Sequence, residues 1–305
     1  MSAPIVVGFD PHGADDGPVR FGIAAARFTG APLVVAAVYG GGLFTNRLAD
    51  GEFQEELSAD AHAALERLRT RLEGDADVQA EVRLVEAVTP ARGLTTAFEE
   101  LDAGLAVVGA TDRGAVGRKV VGSTAERVIH GAPCPVAVVP GGFEGGELNT
   151  VGVAYNDSPE GEQALRSGVV LAQAAGAALR VIIVLREQVG TITGHPKGSR
   201  EFQQLPGEIA EQHQLGARAA VDAAVAEAGE HVDAEIELVY GDPAEMLAGF
   251  TVSLDLLVMG SRAYGPRRAV LLGGVSRRVI ADSKCPVVVL PRGAAHPLQE
   301  LLANR

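Results

Sequence analysis

The chain has 305 residues, 47% of them hydrophobic but only 4% aromatic, with no Trp and a formal net charge of −13. So acidic a chain lacks the basic face that phosphate neutralisation demands, which excludes nucleic acid and anionic membrane surfaces as expected partners. A core with so few rings must be filled by Val, Leu, Ile and Ala, as in parallel strands covered by helices on both faces.

Short apolar runs alternate with helical periods from the start of the chain. Runs 5–9, 33–39, 78–88, 105–109 and 136–139 read as strands, and 15–28, 54–72, 91–101 and 124–130 as helices. The polar, Gly-rich stretch 143–149 reads as a linker. It divides the chain into expected domains at 1–142 and 150–305. Beyond it the order repeats, with strands near 151–155, 179–185, 234–240, 256–260 and 287–290. The helices of this half lie near 160–175, 208–228, 243–252 and 276–281, and residues 190–204, without a period, read as a mobile loop. Strand–helix alternation with right-handed crossovers predicts an α/β fold, with five strands per domain in a doubly wound, flavodoxin- or Rossmann-like parallel sheet.

The two halves are copies. Segment 105–142 lies on 256–293 without a gap at a constant offset of 151, matching Gly109 to Gly260, Gly114 to Gly265 and Gly122 to Gly273. A repeat of this length is a whole domain rather than a solenoid unit. Cys134 and Cys285 fall at equivalent places before Pro-Val, one per half, which reads as two buried thiols rather than a disulfide. No apolar run approaches the roughly 20 residues of a membrane span. No basic leader opens the sequence, so a cytoplasmic protein is expected.

Chemistry concentrates where a strand ending at Gly109 runs into a polar, Gly-rich loop and then a helix. Bare glycine backbone, converging N–H groups and a helix N-terminus favour an anion. Ser123 and Thr124 are expected to cap that helix and to offer hydroxyls to a phosphate. The loop is neither a Walker A sequence nor a Gly-x-Gly-x-x-Gly turn. No His-x3-His metal spacing and no Gly-x-Ser-x-Gly elbow occurs, so an enzyme is not expected.

With Gly109, position 112, Gly122, Ser123 and the following Cys134-Pro135-Val136, the segment resembles the Gly-x2-Gly-x9-Gly-Ser/Thr signature of the universal stress protein family. Ile5-Val6-Val7-Gly8-Phe9-Asp10 resembles the family's first strand and its terminal acid, and Val151–Asp157 resembles the same turn. The resemblance covers nearly the whole chain as two tandem copies. It implies strand order 3-2-1-4-5 in each half, with strands 136–139 and 287–290 pairing as an intrachain pseudo-dimer. It further implies a stress-response module that binds ATP near Asp10, Gly109, Gly122, Ser123 and Thr124. A valine of the second strand, Val35 or Val38, would pack the adenine, and Val38 is carried forward as the candidate. In the second half the matching positions are Asn156, Gly260 and Gly273.

Departures from the signature single out the first half. Asp112 replaces its second Gly, and like charges about 4 Å apart repel by about 4 kcal/mol at an effective dielectric near 20. Arg113, Arg118 and Lys119 offset that charge, or else Asp112 holds Mg²⁺. The turn after Asp10 is Pro11-His12 instead of Gly-Ser. In the second half Asn156, Ala263 and Gly274 remove the carboxylate, one bare backbone position and the phosphate hydroxyl, and Ser276 is expected to cap its helix. Expected partners are an adenine nucleotide and a second copy in a homodimer. The alternative reading is a nucleotide-free interaction protein whose altered loops contact protein partners.

Overall fold

The computed structural model describes residues 2–11, 13, 15–39, 51–75, 77–110, 121–186, 200–229, 232–261, 272–291, 298 and 301, with backbone alone at 51–60, 200–206 and 208–209. The first half runs β1 (Ile5–Phe9), α1 (Gly17–Thr29), β2 (Leu33–Tyr39), α2 (Gly51–Glu73), β3 (Ala80–Glu86), α3 (Pro90–Glu100), β4 (Leu105–Gly109), α4 (Ser123–Gly131) and β5 (Val136–Val139). The second half repeats the order as β6 (Thr150–Tyr155), α5 (Pro159–Ala175), β7 (Ala178–Leu185), α6 (Arg200–Ala228), β8 (Ala234–Tyr240), α7 (Pro243–Phe250), β9 (Leu256–Gly260), α8 (Gly274–Asp282) and β10 (Val287–Leu290). The expected loop at 190–204 needs correction. Its last five residues already belong to α6, because the helix starts at Arg200, and 187–199 lie outside the described residues.

Each half is a parallel sheet in the expected order 3-2-1-4-5, and the two fuse into one ten-stranded sheet, β3-β2-β1-β4-β5-β10-β9-β6-β7-β8. The fusion is antiparallel, with Val287 opposite Val138, Val288 opposite Ala137 and Val289 opposite Val136. Strands buried on both faces need apolar residues at odd and even positions alike. Accordingly Ile5, Val6 and Val7 are all fully buried, as are Val136 to Val139. One face packs under α1, α2, α5 and α6, and the other under α3, α4, α7 and α8.

Local chemistry sets the helix ends. Thr89, Ser158 and Asp242 accept backbone N–H bonds at the starts of α3, α5 and α7, each followed by Pro at the first helical position. Gly30 and Gly176 close α1 and α5 in the left-handed region, at φ 70° and 66°. Residues 140–149 cross between the halves without regular structure but are pinned to α1. The Phe143 ring meets Phe21 edge to face at 6.2 Å, and Arg20 Nη1 donates to the Glu144 carbonyl at 3.1 Å. Among the described residues no helix is long and apolar enough to cross a membrane. Cys134 and Cys285 are free, buried thiols, and burial pushes both up to about 12.

Candidate nucleotide site

At the carboxyl ends of β1 and β4, α1 and α3 stand apart and leave a cavity of about 490 Å³. Open α/β sheets bind ligands at this edge. Asp10 reaches it from the end of β1, Val38 from β2, Leu94 from α3, Gly109 from β4 and Thr124 from the first turn of α4. Four of the residues expected from sequence therefore meet on one cavity: Asp10, Val38, Gly109 and Thr124. Leu94, Pro18, Asp15 and Ala110 line it as well. Sequence reasoning missed them: the packing of α1 and α3 brings in Pro18 and Leu94, while Asp15 and Ala110 lie just before α1 and just after β4.

Strand parity puts Val35 and Val38 on opposite faces of the sheet. Val35 points into the core beneath α1 and α2 and is fully buried, whereas Val38 packs toward α3 on the opposite face and lines the cavity. Its position is fixed by a close approach of α3: a Cβ on Gly93 would lie 2.6 Å from Val38 Cγ1.

The α4 end differs from expectation in one respect. Gly122, not Ser123 or Thr124, is the N-cap, with φ −60° and ψ 147° and no side-chain cap bond. Ser123 is the first helical residue and exposed, while Thr124 is half-buried against the cavity. The helix ladder opens with Glu126 N donating to Gly122 O at 2.9 Å, so the amides of Ser123, Thr124 and Ala125 have no partner within the helix ladder. That leaves a partly positive helix end facing the carboxyl edge of the sheet.

The other wall is acidic. The Asp10 carbonyl accepts from Gly13 N at 3.0 Å, and Asp15 Oδ1 accepts from Gly17 N at 2.9 Å. Next to them Asp16 binds Arg20 at 2.8 Å and Arg71 at 2.6 Å, tying α1 to α2. Partial burial pushes the Asp16 carboxyl up, but hydrogen bonds and charge from Arg71 and Arg20 outweigh it and hold the group below the usual range. No Lys or Arg lines the described cavity wall. Asp112, Arg113, Arg118 and Lys119 lie outside the described residues, as does His12.

The equivalent place in the second half is built differently. Asn156 is engaged in the turn that starts α5: its Oδ1 accepts from Ser158 Oγ at 2.9 Å and its carbonyl from Ser158 N at 2.8 Å. Gly22 and Gly168 make the same close contacts, to Val7 and Leu33 in one half and to Val153 and Leu179 in the other, so these segments correspond at an offset of 146. On that correspondence α5 begins at Pro159, the counterpart of Gly13, whereas α1 begins only at Gly17. The extra turn crowds the end of β9, where a Cβ on Gly260 would lie 2.8 Å from the Glu160 carbonyl oxygen. Gly273 is the N-cap of α8. Ser276, expected to cap, is instead a buried residue inside the first turn, because glycine already holds the cap position. Residues 262–271, with Ala263, lie outside the described residues.

The universal stress protein family profile matches residues 1–140 and again 147–291. Universal stress proteins of Mycobacterium tuberculosis and Mycobacterium bovis are 27% identical over 305 residues, covering 94% of this chain and 99% of theirs. One of Mycolicibacterium smegmatis is 33% identical over 142 residues, 46% of this chain and 99% of that protein. Among solved structures, a universal stress protein from Archaeoglobus fulgidus superimposes with a TM-score of 0.65 at 21% identity, over 96% of this chain and 97% of that one.

Proposed function

Because the chain belongs to the universal stress protein family, we propose that it is a stress-response or signalling module whose first half takes an adenine nucleotide. The observation that carries this reading is the convergence of Asp10, Val38, Gly109 and Thr124, from four separate segments, on one cavity of about 490 Å³. That volume falls within the range of small-molecule sites. Val38 and Leu94 offer an apolar wall for a base. The Asp10 carboxylate is an acceptor for ribose hydroxyls, and the α4 end with Gly122, Ser123 and Thr124 suits phosphates. Among the described residues no group of three or more His, Cys, Asp or Glu could hold a metal. Mg²⁺, which takes one or two carboxylates together with phosphate oxygens, would arrive on the phosphates of ATP. The second-half positions Asn156, Gly260 and Gly273 make the weaker site, since the first turn of α5 crowds Asn156 and Gly260.

Calorimetry with ATP, ADP and adenosine, with and without Mg²⁺, tests the assignment, with native mass spectrometry counting nucleotides per chain. One nucleotide per chain is expected, and a Gly122→Val/Ser123→Ala variant should lose it. Unchanged affinity in that variant would sink the site. A nucleotide-free interaction protein is the rival reading, favoured by two carboxylates and no cation on the described wall. No heat with any of the three ligands would favour it. Either function would be carried out as a cytoplasmic binding module without turnover, alone or as a homodimer.

A further inference from the structure

The two halves meet about a local two-fold axis, and the residues on it are mismatched in a consistent way. Ala137 and Val288 are equivalent positions that face each other in the antiparallel β5–β10 register, so the axis passes between them, perpendicular to the sheet. A residue that meets its counterpart here would meet itself in a seam between two like halves.

On one face Glu126 of α4 is ion-paired with Arg277 of α8, its own counterpart 151 residues on. At the axis the small Ala137 is set against the larger Val288. On the other face α1 packs against α5. At the offset of 146 fixed by Gly22 and Gly168, Phe21, Ala25 and Phe28 correspond to Ser167, Leu171 and Ala174. At each of these equivalent positions one half carries a large side chain where the other carries a small one, in alternating sense. Phe21, Ala25 and Phe28 meet Leu171 and Val288 around a residual void of only about 10 Å³.

We infer that this seam is a heterospecific recognition surface, shaped and charged so that each half accepts the unlike half of the chain and rejects a second copy of itself. Two first halves would bring Glu126 against Glu126 and crowd four Phe rings about the axis, with Ala137 opposite Ala137. Two second halves would oppose Arg277 to Arg277 and Val288 to Val288, with no ring to fill the space between α5 and its copy. Selectivity of this kind comes from clashes and unpaired charges in the wrong pairing as much as from good contacts in the right one. Directly opposed side chains are where cross-strand pairs interact most strongly.

Full-length variants provide the test, because the like pairing can be written into one chain. Glu126→Arg opposes two arginines and Arg277→Glu two glutamates. Each should lower the unfolding midpoint by about 2 °C, near the effect of one surface pair in a chain of this size, and the double reversal should restore it. Ala137→Val and Val288→Ala should likewise each lower the midpoint, and the volume swap should recover most of the loss. As a direct measure of partner choice, folded chain is cleaved within 141–149, and light and isotopically heavy batches are mixed in urea low enough to keep them folded. Native mass spectrometry should then find mixed-label pairs of unlike halves and none of like halves. Like pairs at their statistical share, or swaps that fail to restore the midpoints, would overturn the inference. The swaps decide it by themselves where the cleaved halves do not exchange.

Discussion

Gly93→Ala isolates the contact that positions the apolar wall of the cavity. The new Cβ would lie 2.6 Å from Val38 Cγ1 and 2.9 Å from both Val38 Cγ2 and Ala87 Cβ, well inside van der Waals contact. In a closed core such overpacking costs about 1–3 kcal/mol. Two effects reduce that here. Alanine favours the helix by about 0.5–1 kcal/mol over glycine, and Val38 borders about 490 Å³ of open space into which its methyls can turn. Net stability should therefore change by less than about 1 kcal/mol, the sum of opposed terms of similar size. The displaced methyls enter the cavity instead, where a base would lie, and adenosine affinity should fall about tenfold or more, about 1.4 kcal/mol. Urea denaturation measures the first quantity and calorimetry with adenosine the second. A Gly93→Ala/Val38→Ala variant should bind more tightly than Gly93→Ala alone. Unchanged affinity in the single variant, or a loss of more than about 3 kcal/mol in stability, would refute the picture of Val38 as a movable wall.

The same substitution should behave oppositely where no cavity lies behind the clash. At Gly22 and Gly168 a Cβ would fall 2.4 Å from Val7 Cγ2 and 2.2 Å from Val153 Cγ2, both on fully buried valines in the middle of the sheet. Gly22→Ala and Gly168→Ala should each destabilise by about 1–3 kcal/mol in urea, and a raised midpoint in either would be decisive against it. Cys134 and Cys285, with thiols at about 12 against an ordinary 9.0, are neutral at pH 8 in all but about one molecule in 10⁴. A disulfide reagent should label them about 10³-fold more slowly in native than in unfolded protein, and comparable rates would contradict the burial. Since the folded values are raised, the stabilisation from neutral thiols is complete below pH 9 and is lost as pH rises toward 12, so the urea midpoint should decline across that window.

The order of elements was legible because each strand is an apolar run between turn signals and each helix carries an apolar stripe. Where sequence fell short, a tertiary fact was missing. Val35 and Val38 look alike in a strand; only the side on which α3 packs tells them apart. Ser123 and Ser276 have the chemistry of caps, yet Gly122 and Gly273 stand in the cap positions. The stretch 143–149 reads as a linker from its polarity, and nothing in its own residues announces that Phe143 meets Phe21 on α1. The large-for-small exchange of Phe21 with Ser167 and of Ala25 with Leu171 was hidden because the halves align at 151 over β4–β5 and at 146 over β1–α1, so one gapless comparison cannot show both.

The antiparallel join at Ala137 and Val288 has a geometric consequence. Strands of the two halves run in opposite directions, so the loop-bearing edge of the first half and that of the second lie at opposite poles of a single sheet. A body gripping Asp10 and Thr124 at one pole leaves the Asn156 and Gly273 end facing away from it. The chain is thus a two-ended object, able to be held at one end while it presents the other, with the shared β4-β5-β10-β9 strands as the continuous solid between them.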